Sequence, residues 1–219
     1  MIRILYESEN FIAAEKPSGL LVHAYKKETN ERDHLLRRLR DQTGHYLYPI
    51  HRIDRPVSGI VLFGLTPSIV REAKEVWHSA TTIKTYIALV KGQITTEGCF
   101  DFALNNDYKQ KQTALTRFEP IQCFRETTLV KVWIETGRKH QIRRHFSRRC
   151  SNIIGDTKYG QGKWNRLFRD QFLLNRIFLH ATHLKLSLPL SNEELDIDSP
   201  LPEELERVLE NITQSEKIE

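Results

Sequence analysis

The stretch His51-Arg52-Ile53-Asp54-Arg55-Pro56-Val57-Ser58-Gly59-Ile60-Val61-Leu62 places one carboxylate between two arginines, just before an apolar run. Residues 49–52 and 59–65 predict two strands, so residues 54–58 form the link between them. A carboxylate on such a tight link is held rigidly at a sheet edge. These residues alone leave two interpretations open: a functional carboxylate, or a turn former paired with a neighbouring arginine.

Short apolar runs with alternating polarity dominate the remaining chain, and helical patterns lie between them. Further strands are predicted over 11–15, 20–23, 83–91, 115–119, 129–135 and 177–188. This order predicts an α+β fold built on a mixed, largely antiparallel sheet flanked by helices and loops. We expect a single domain over residues 1–213 and a frayed tail over 214–219.

Four helices are predicted from capping residues and apolar spacing. Asp33 is expected to cap the first, which carries Leu35, Leu36 and Leu39, and Thr66-Pro67 opens the second. The third covers 138–149, with Ile142, Phe146 and Cys150 as its apolar stripe, and the fourth starts at Pro202.

Charge is segregated along the chain, although the net charge of +5 from 33 basic and 28 acidic residues is moderate. Six of the twelve residues from Arg138 to Arg149 are Lys or Arg, two are His and none is acidic, whereas residues 193–210 are largely acidic. Such segregation is typical of a one-sided surface for a polyanion. A solvated basic face is the alternative.

Several common classes of site are poorly supported by the sequence. Residues 155–162 lack the spacing of a phosphate-binding loop, and His180 and His183 lie in a predicted strand, not in a zinc-binding helix. The three cysteines have no ligand or disulfide spacing, which is typical of a reducing cytosol. We therefore expect no metal, no cofactor, no membrane span and a cytoplasmic location.

Six elements in the same order resemble the RluA family of pseudouridine synthases. The central stretch is similar to the family's H-R-L-D-x-x-T-S-G motif, with Ile53 and Val57 in place of Leu and Thr. The others are Glu15-Lys16-Pro17-Ser18-Gly19-Leu20-Leu21-Val22-His23, Lys84-Thr85-Tyr86-Ile87-Ala88, Thr136-Gly137-Arg138-Lys139-His140-Gln141-Ile142-Arg143, Ile154-Gly155-Asp156 to Tyr159-Gly160, and Leu179-His180-Ala181.

The resemblance implies a role for each matching residue. Asp54 is the essential carboxylate, which either attacks covalently or removes a ribose proton, and Arg143 is the partner that keeps it ionised. Tyr86 stacks on a flipped uracil and helps to remove the C5 proton, and Arg52 fills the space that the base vacates. RNA contacts are expected from Arg52, Arg55, Arg138, Lys139, His140, Gln141 and Arg144, and Asp156, Leu179 and His180 are expected to shape the pocket.

Without the resemblance, blander interpretations of these residues stay open. Tyr86 is equally well explained as a core aromatic on a strand, and Arg143 as a phosphate contact on a basic helix.

Within the family, Arg55-Pro56 and the segment from Arg138 to His145 look most like the TruC branch, which modifies a uridine in the T stem of certain tRNAs. The stretch 105–116 is shorter than is typical there, and no S4-type RNA-binding domain is expected. The alternatives are an enzyme of the same class that acts on ribosomal RNA and a non-catalytic RNA-binding module. We expect RNA as the partner and no obligatory protein partner.

Overall fold

The computed structural model describes residues 1–24 and 33–218, which form two compact units. The first unit comprises Met1–Ile83 and Ala181–Ser199, and the second comprises Lys84–His180 and Pro200–Glu219. The chain thus leaves the first unit, returns to it for one hairpin, and ends in the second. The expectation of a single domain over residues 1–213 stays a prediction.

Strands and helices alternate irregularly along the chain. The strands are β1 (Ile4–Glu7), β2 (Phe11–Lys16), β3 (Tyr48–Pro49), β4 (Ser58–Gly64), β5 (Ile83–Lys91), β6 (Gly98–Phe100), β7 (Leu104–Asn105), β8 (Lys111–Gln112), β9 (Thr116–Cys123), β10 (Thr127–Ile134), β11 (Leu179–Leu188) and β12 (Glu193–Asp198). The helices are α1 (Leu35–Thr43), α2 (Pro67–Val76), α3 (Gln141–Arg148), α4 (Gly162–Phe172) and α5 (Glu203–Ile218). The predicted α+β class is confirmed.

The sheet of the first unit follows the order β1-β2-β4-β11, with β3 added to β4 and β12 added to β11. Strand β2 pairs antiparallel with β4, so that Lys16 lies opposite Gly59. All seven residues of β4 are buried, as expected for an apolar run without polar alternation. This central strand begins four residues after Asp54, and its burial fixes the end of the link that carries the carboxylate.

Helix α2 covers the sheet of the first unit as the sequence predicts. The hydroxyl of Thr66 accepts a hydrogen bond from the Ile69 N–H at 3.3 Å, and Pro67 occupies the first turn. Ile69, Val70 and Ala73 then pack into the same core as the strand residues.

The second unit contains the sheet β5-β10-β9-β6, and the small hairpin β7-β8 lies outside it. Strands β5 and β10 pair antiparallel from Thr127 opposite Lys91 to Trp133 opposite Thr85. Helices α4 and α5 contribute Phe168, Leu205 and Val208 to an apolar cluster with buried strand residues. The bounds predicted for β5 are confirmed, and α5 extends through most of the segment that we expected to fray.

The strand predicted over residues 20–23 is wrong, because its carbonyl groups bind elsewhere. The carbonyls of Leu21 and Val22 accept hydrogen bonds from the N–H groups of Leu35 and Leu36 at 2.8 and 3.0 Å, at the start of α1. An irregular segment therefore satisfies N–H groups that a helix leaves unpaired at its first turn.

The predicted cap of α1 is also wrong. His34 is the N-cap, and its Nδ1 accepts from the Arg37 N–H at 3.1 Å, whereas the carboxylate of Asp33 pairs with the guanidinium of Arg38. The buried face of the helix is as predicted, with Leu35, Leu36 and Leu39 inside.

Other boundaries were set by the tertiary structure. Helix α3 ends at Arg148, so Cys150 lies beyond it in a left-handed conformation and is exposed, and it does not continue the predicted stripe. Strand β12 was missed because four of its six residues are acidic, while only Leu195 and Ile197 are buried. In the part of the chain that the structure describes, no helix is both long enough and apolar enough to cross a membrane.

Replacing Gly59 by Ala is expected to lower the free energy of unfolding by about 2–4 kcal/mol. Gly59 has φ of +115°, and a Cβ there would lie 2.2 Å from the carbonyl oxygen of Ala181. Urea unfolding measures the change. Gly162→Ala at the start of α4 is the matched control, because its Cβ meets nothing within 4 Å. Equal effects of the two substitutions would contradict the assignment of Gly59 to a close strand contact.

His145 is expected to make folding sensitive to acid. It is fully buried, its Nε2–H donates to the Phe102 carbonyl at 3.2 Å, and burial lowers its pKa from 6.5 to about 4. Between pH 6.5 and pH 4 the unfolded chain binds a proton at His145 and the folded chain does not. The free energy of unfolding is therefore highest above pH 6.5 and falls by about 3 kcal/mol as the pH is lowered towards 4. Unfolding of His145→Gln measured over this range should show a shallower pH slope; an unchanged slope would refute the assignment.

Candidate active site

Asp54 lies on a tight turn between β3 and β4. Its carbonyl accepts from the Val57 N–H at 3.0 Å, which closes the turn around Arg55 and Pro56. Ile53 and Val57 are buried on either side, while Asp54 itself is partly exposed. The link predicted from the sequence is therefore anchored at both ends by apolar side chains, with its carboxylate between them.

A second loop, residues 16–20, braces this turn through hydrogen bonds that main-chain carbonyls accept. The Gly19 N–H donates to the carbonyl of Arg55 at 2.8 Å, and the Nε of Arg55 donates back to the carbonyl of Gly19 at 2.8 Å. The hydroxyl of Ser18 donates to the carbonyl of Pro56 at 2.7 Å. Gly19 has φ of +84°, a conformation that favours glycine.

The ammonium group of Lys16 holds the two loops together. Lys16 is fully buried, and its Nζ donates to the carbonyls of Pro17, Leu20 and Arg55 at 2.8, 2.7 and 3.0 Å. A buried lysine that satisfies three carbonyl groups is a strong local constraint. Lys16 belongs to a motif shared with the family, but the sequence predicts no role for it. The signal in the sequence is a charged residue at the end of an apolar strand.

The residues before Asp54 are positioned by β4 and α2. The Nε2 of His51 accepts from the Leu62 N–H at 3.0 Å, and its ring stacks on Trp77 with centroids 4.5 Å apart. Arg52 is exposed. The pKa of His23 is lowered first by the burial of His23 itself and second by the positive charge of Arg52.

Tyr86 lies in the middle of β5 in the second unit, opposite Val132 of β10, and is partly exposed. Lys84, two residues earlier, lies on the same face of the strand. Its Nζ donates to the carbonyl of Glu135 at 3.4 Å, and burial lowers its pKa to about 8 although the charge of Glu135 opposes the shift. A buried amine beside Tyr86 is a second feature to which the sequence comparison gave no role.

Arg143 and Asp156 form a buried, two-point ion pair in the second unit. The Nε and Nη2 of Arg143 donate to the two carboxylate oxygens at 2.8 Å each, and the side chains are 6% and 1% exposed. Burial alone raises the pKa of Asp156, but the hydrogen bonds and charge of Arg143, with two backbone N–H donors, outweigh it and the net pKa is lowered. The sequence placed both residues at the site without predicting that they pair.

The start of α3 is fixed by His140 and Gln141. His140 has φ of +53°, and its Nδ1 lies 2.8 Å from the hydroxyl of Tyr159. Gln141 is buried: its Oε1 accepts from the Thr136 hydroxyl and the Arg138 N–H, and its Nε2 donates to two further groups. Gln141 thus braces the turn before the helix, although the sequence predicted an RNA contact.

Basic side chains of the segment Arg138–Arg149 hold the chain around the hairpin β7-β8. The contacts are Arg138 Nε to the Thr113 carbonyl at 3.0 Å, Lys139 Nζ to Asp107 Oδ1 at 2.6 Å, Arg144 Nη1 to the Asn105 carbonyl at 3.0 Å and Arg148 Nη1 to the Ala103 carbonyl at 3.4 Å. Most of these side chains keep exposed surface, so they also carry charge at the protein surface. This exposed charge is compatible with both interpretations of the segment, a polyanion-binding surface and a solvated basic face.

Leu179 and His180, at the start of β11, are buried in the second unit. In residues 1–24 and 33–218, no group of three His, Cys, Asp or Glu side chains is placed to bind a metal ion. A cleft of about 690 Å³ lies elsewhere in the second unit, between α4 and α5, and is lined by aromatic residues such as Trp164, Phe168 and Phe172. It includes none of the residues predicted for the site.

Replacing Lys16 by Met is expected to lower the free energy of unfolding by about 3 kcal/mol, because three carbonyl groups lose their donor. Lys185→Met is the control in the same unit, since Lys185 makes an exposed ion pair with Asp196 and should contribute under about 1 kcal/mol. Urea unfolding of both variants gives the comparison. Equal stability of Lys16→Met and the wild type would refute the bracing role.

Comparison with known proteins identifies relatives for most of the chain. Residues 10–148 match the family model for RNA pseudouridylate synthase. The tRNA pseudouridine synthase C of Vibrio parahaemolyticus is 36% identical over 216 residues, covering 89% of this chain and 88% of its own. The tRNA pseudouridine synthase C of Haemophilus influenzae is 32% identical, covering 95% and 97%. The resemblance derived from the motifs is confirmed.

Solved structures share the fold at lower identity. Human RNA pseudouridylate synthase domain containing 4 superposes with a TM-score of 0.76 at 24% identity, covering 96% of this chain and 92% of that chain. Human RNA pseudouridylate synthase domain containing 1 gives the same TM-score at 20% identity, covering 100% and 96%.

Proposed function

Because the chain belongs to the RNA pseudouridylate synthase family, we propose that it converts a uridine in the T stem of tRNA to pseudouridine, with Asp54 as the catalytic carboxylate. The curated relatives named tRNA pseudouridine synthase C, similar over about nine-tenths of the chain, support tRNA as the substrate. The reaction breaks the N1–C1′ bond of the uridine, turns the base, and joins C5 to C1′. C5 loses its proton and N1 ends with one, so no oxidant or reductant is consumed.

The observation that carries this proposal is the braced turn of Asp54. A catalytic carboxylate has to be held at a fixed position against the ribose. Hydrogen bonds from Lys16, Ser18 and Gly19 to the carbonyls of Arg55 and Pro56 restrict the turn to one conformation. In one route Asp54 attacks the sugar covalently; in the other it removes a ribose proton. The rigid turn serves either route.

Arg143 and Tyr86 complete the proposed chemistry. By the family resemblance, the guanidinium of Arg143 is assigned as the cationic partner of the catalytic carboxylate. Tyr86 stacks on the uracil after it leaves the helix, and assists loss of the C5 proton. Arg52, which is exposed and next in the chain to the catalytic turn, fills the space of the flipped base.

Affinity for the RNA backbone is assigned to the basic side chains Arg55, Arg138, Lys139 and Arg144, with His140 beside them. Lysine and arginine contacts to phosphate position an RNA without reading its sequence, and they weaken as salt is added. Leu179 and His180, which are buried at the start of β11, are assigned to shaping the pocket. Asp156, which pairs with Arg143, is the third residue assigned to shaping the pocket.

Asp54→Asn is expected to abolish tritium release from bulk tRNA labelled at C5 of uridine, with a loss of at least about 10³-fold in rate, because the amide is neither a base nor a comparable nucleophile. Asp41→Asn is the control, since Asp41 is an exposed helix residue whose only described ion pair is with Arg37 at 3.7 Å. It should release tritium at the wild-type rate. Wild-type release by Asp54→Asn would refute the proposed catalytic role.

Two alternatives are separated by mapping pseudouridine in a strain that lacks the protein. Loss of a tRNA pseudouridine supports the proposal, whereas intact tRNA with a missing ribosomal RNA site would refute it in favour of the second substrate. Unchanged modification of both RNAs, in the deletion strain and in an Asp54→Asn strain, would indicate a non-catalytic RNA-binding module.

A further inference from the structure

The loop that carries Asp156 is fixed from several sides. Gly155 has φ of +81°, and a Cβ there would lie 1.9 Å from the carbonyl oxygen of Arg176. The side chain of Asn165 accepts from the Gly155 N–H and donates to the Asp156 carbonyl, both at 2.9 Å. Gly160 donates its N–H to that carbonyl at 2.9 Å and has no room for a Cβ. The backbone of Asp156 therefore has one available position.

The carboxylate of Asp156 is equally restrained. Its Oδ1 accepts from the N–H groups of Lys158 and Tyr159 at 2.9 and 3.0 Å, in addition to the two hydrogen bonds from Arg143. Four donors thus hold a group that is 1% exposed. The ring of Tyr159 lies beneath the Arg143 guanidinium, 5.1 Å from its central carbon, and limits its movement on another side.

We propose that Asp156 is a positioning residue that fixes the plane of the Arg143 guanidinium for catalysis; this inference rests on the proposed function. The two hydrogen bonds occupy Nε and one terminal nitrogen, so they determine where the remaining N–H donors of Arg143 point. An arginine side chain that is free to rotate loses conformational entropy when it binds a target. A guanidinium already held by Asp156 has been ordered during folding.

A second two-point ion pair in the chain differs from the Arg143–Asp156 pair in its exposure to solvent. Asp33 and Arg38 also form a two-point ion pair, but their side chains are 64% and 47% exposed. Exposed pairs are screened by water and restrict their side chains little. Asp33→Asn is therefore a matched control for Asp156→Asn, because it makes the same chemical change at the same kind of contact without burial.

The test is a double-substitution cycle on the full chain, with tritium release from C5-labelled bulk tRNA as the assay. Asp156→Asn should lower kcat about a hundredfold and leave KM within about threefold, because the carboxylate contacts Arg143 and not the RNA. Arg143→Gln should lower kcat at least as much. The variant with both changes should be no slower than Arg143→Gln alone, since Asp156 acts only through Arg143. Asp33→Asn should match the wild type.

Two kinetic outcomes would overturn the inference. In the first, Asp156→Asn has the kcat of the wild type. In the second, the kcat of the double variant is lower than that of Arg143→Gln by the same factor by which Asp156→Asn lowers the wild-type kcat, which indicates that Asp156 acts independently of Arg143. Asp156→Asn leaves a buried guanidinium without its carboxylate and can fail to fold, so Asp156→Glu is measured in parallel. It keeps the charge but displaces the guanidinium, and should lower kcat at unchanged KM; a wild-type kcat there also refutes positioning.

The ion pair itself is tested without activity. In an NMR spectrum of the wild type, the Nε–H of Arg143 should give a slowly exchanging signal that disappears in Arg143→Gln and exchanges quickly in Asp156→Asn. Absence of that protected signal from the wild type would overturn the inference while leaving the proposed function intact. If the wild type releases no tritium from any RNA but the signal is present, the proposed function fails and the pair is a structural contact only.

Discussion

The ammonium group of Lys16 is the central contact that holds the turn of Asp54. It is buried at the end of β2, and its three hydrogen bonds join the carbonyls of residues 17, 20 and 55. A buried charge is costly unless its hydrogen-bonding capacity is used, so the two loops have to close around it in one arrangement. That arrangement holds the turn of Asp54 at the end of a fully buried strand. Lys16 therefore stabilises the fold and, by our proposal, fixes the position of the catalytic carboxylate.

The two carboxylates singled out by the sequence have different environments, which fit the different roles that we propose for them. Asp54 lies on a turn and is partly exposed. Asp156 is enclosed and already satisfied by four donors, including the guanidinium of Arg143. A carboxylate in the second situation is too well paired to act as a nucleophile or base, but it is well suited to order its partner. The contrast follows from burial and hydrogen bonding, because the two side chains are chemically identical.

The basic segment has a structural and a surface role at once. Its guanidinium and ammonium groups bind carbonyls and a carboxylate around the hairpin β7-β8, which anchors that hairpin against α3. Long basic side chains commonly combine packing with exposed charge. Substitution of these residues thus changes both hairpin position and attraction to phosphate, and salt dependence is the measurement that isolates the second effect.

Local sequence patterns predict the α+β class, the strand β5, the helix α2 and the link that carries Asp54, and the motifs identify the family. Apolar periodicity and capping residues act over a few neighbouring positions, and motif residues are read directly. Four other features are visible only in the folded chain: residues 20–23 bind the start of α1, β12 forms despite four acidic residues, Lys16 spans two loops, and Arg143 pairs with Asp156. Each of these features depends on a partner that is distant in the chain or on the burial of a side chain. The spacing of residues along a short segment carries no information on either.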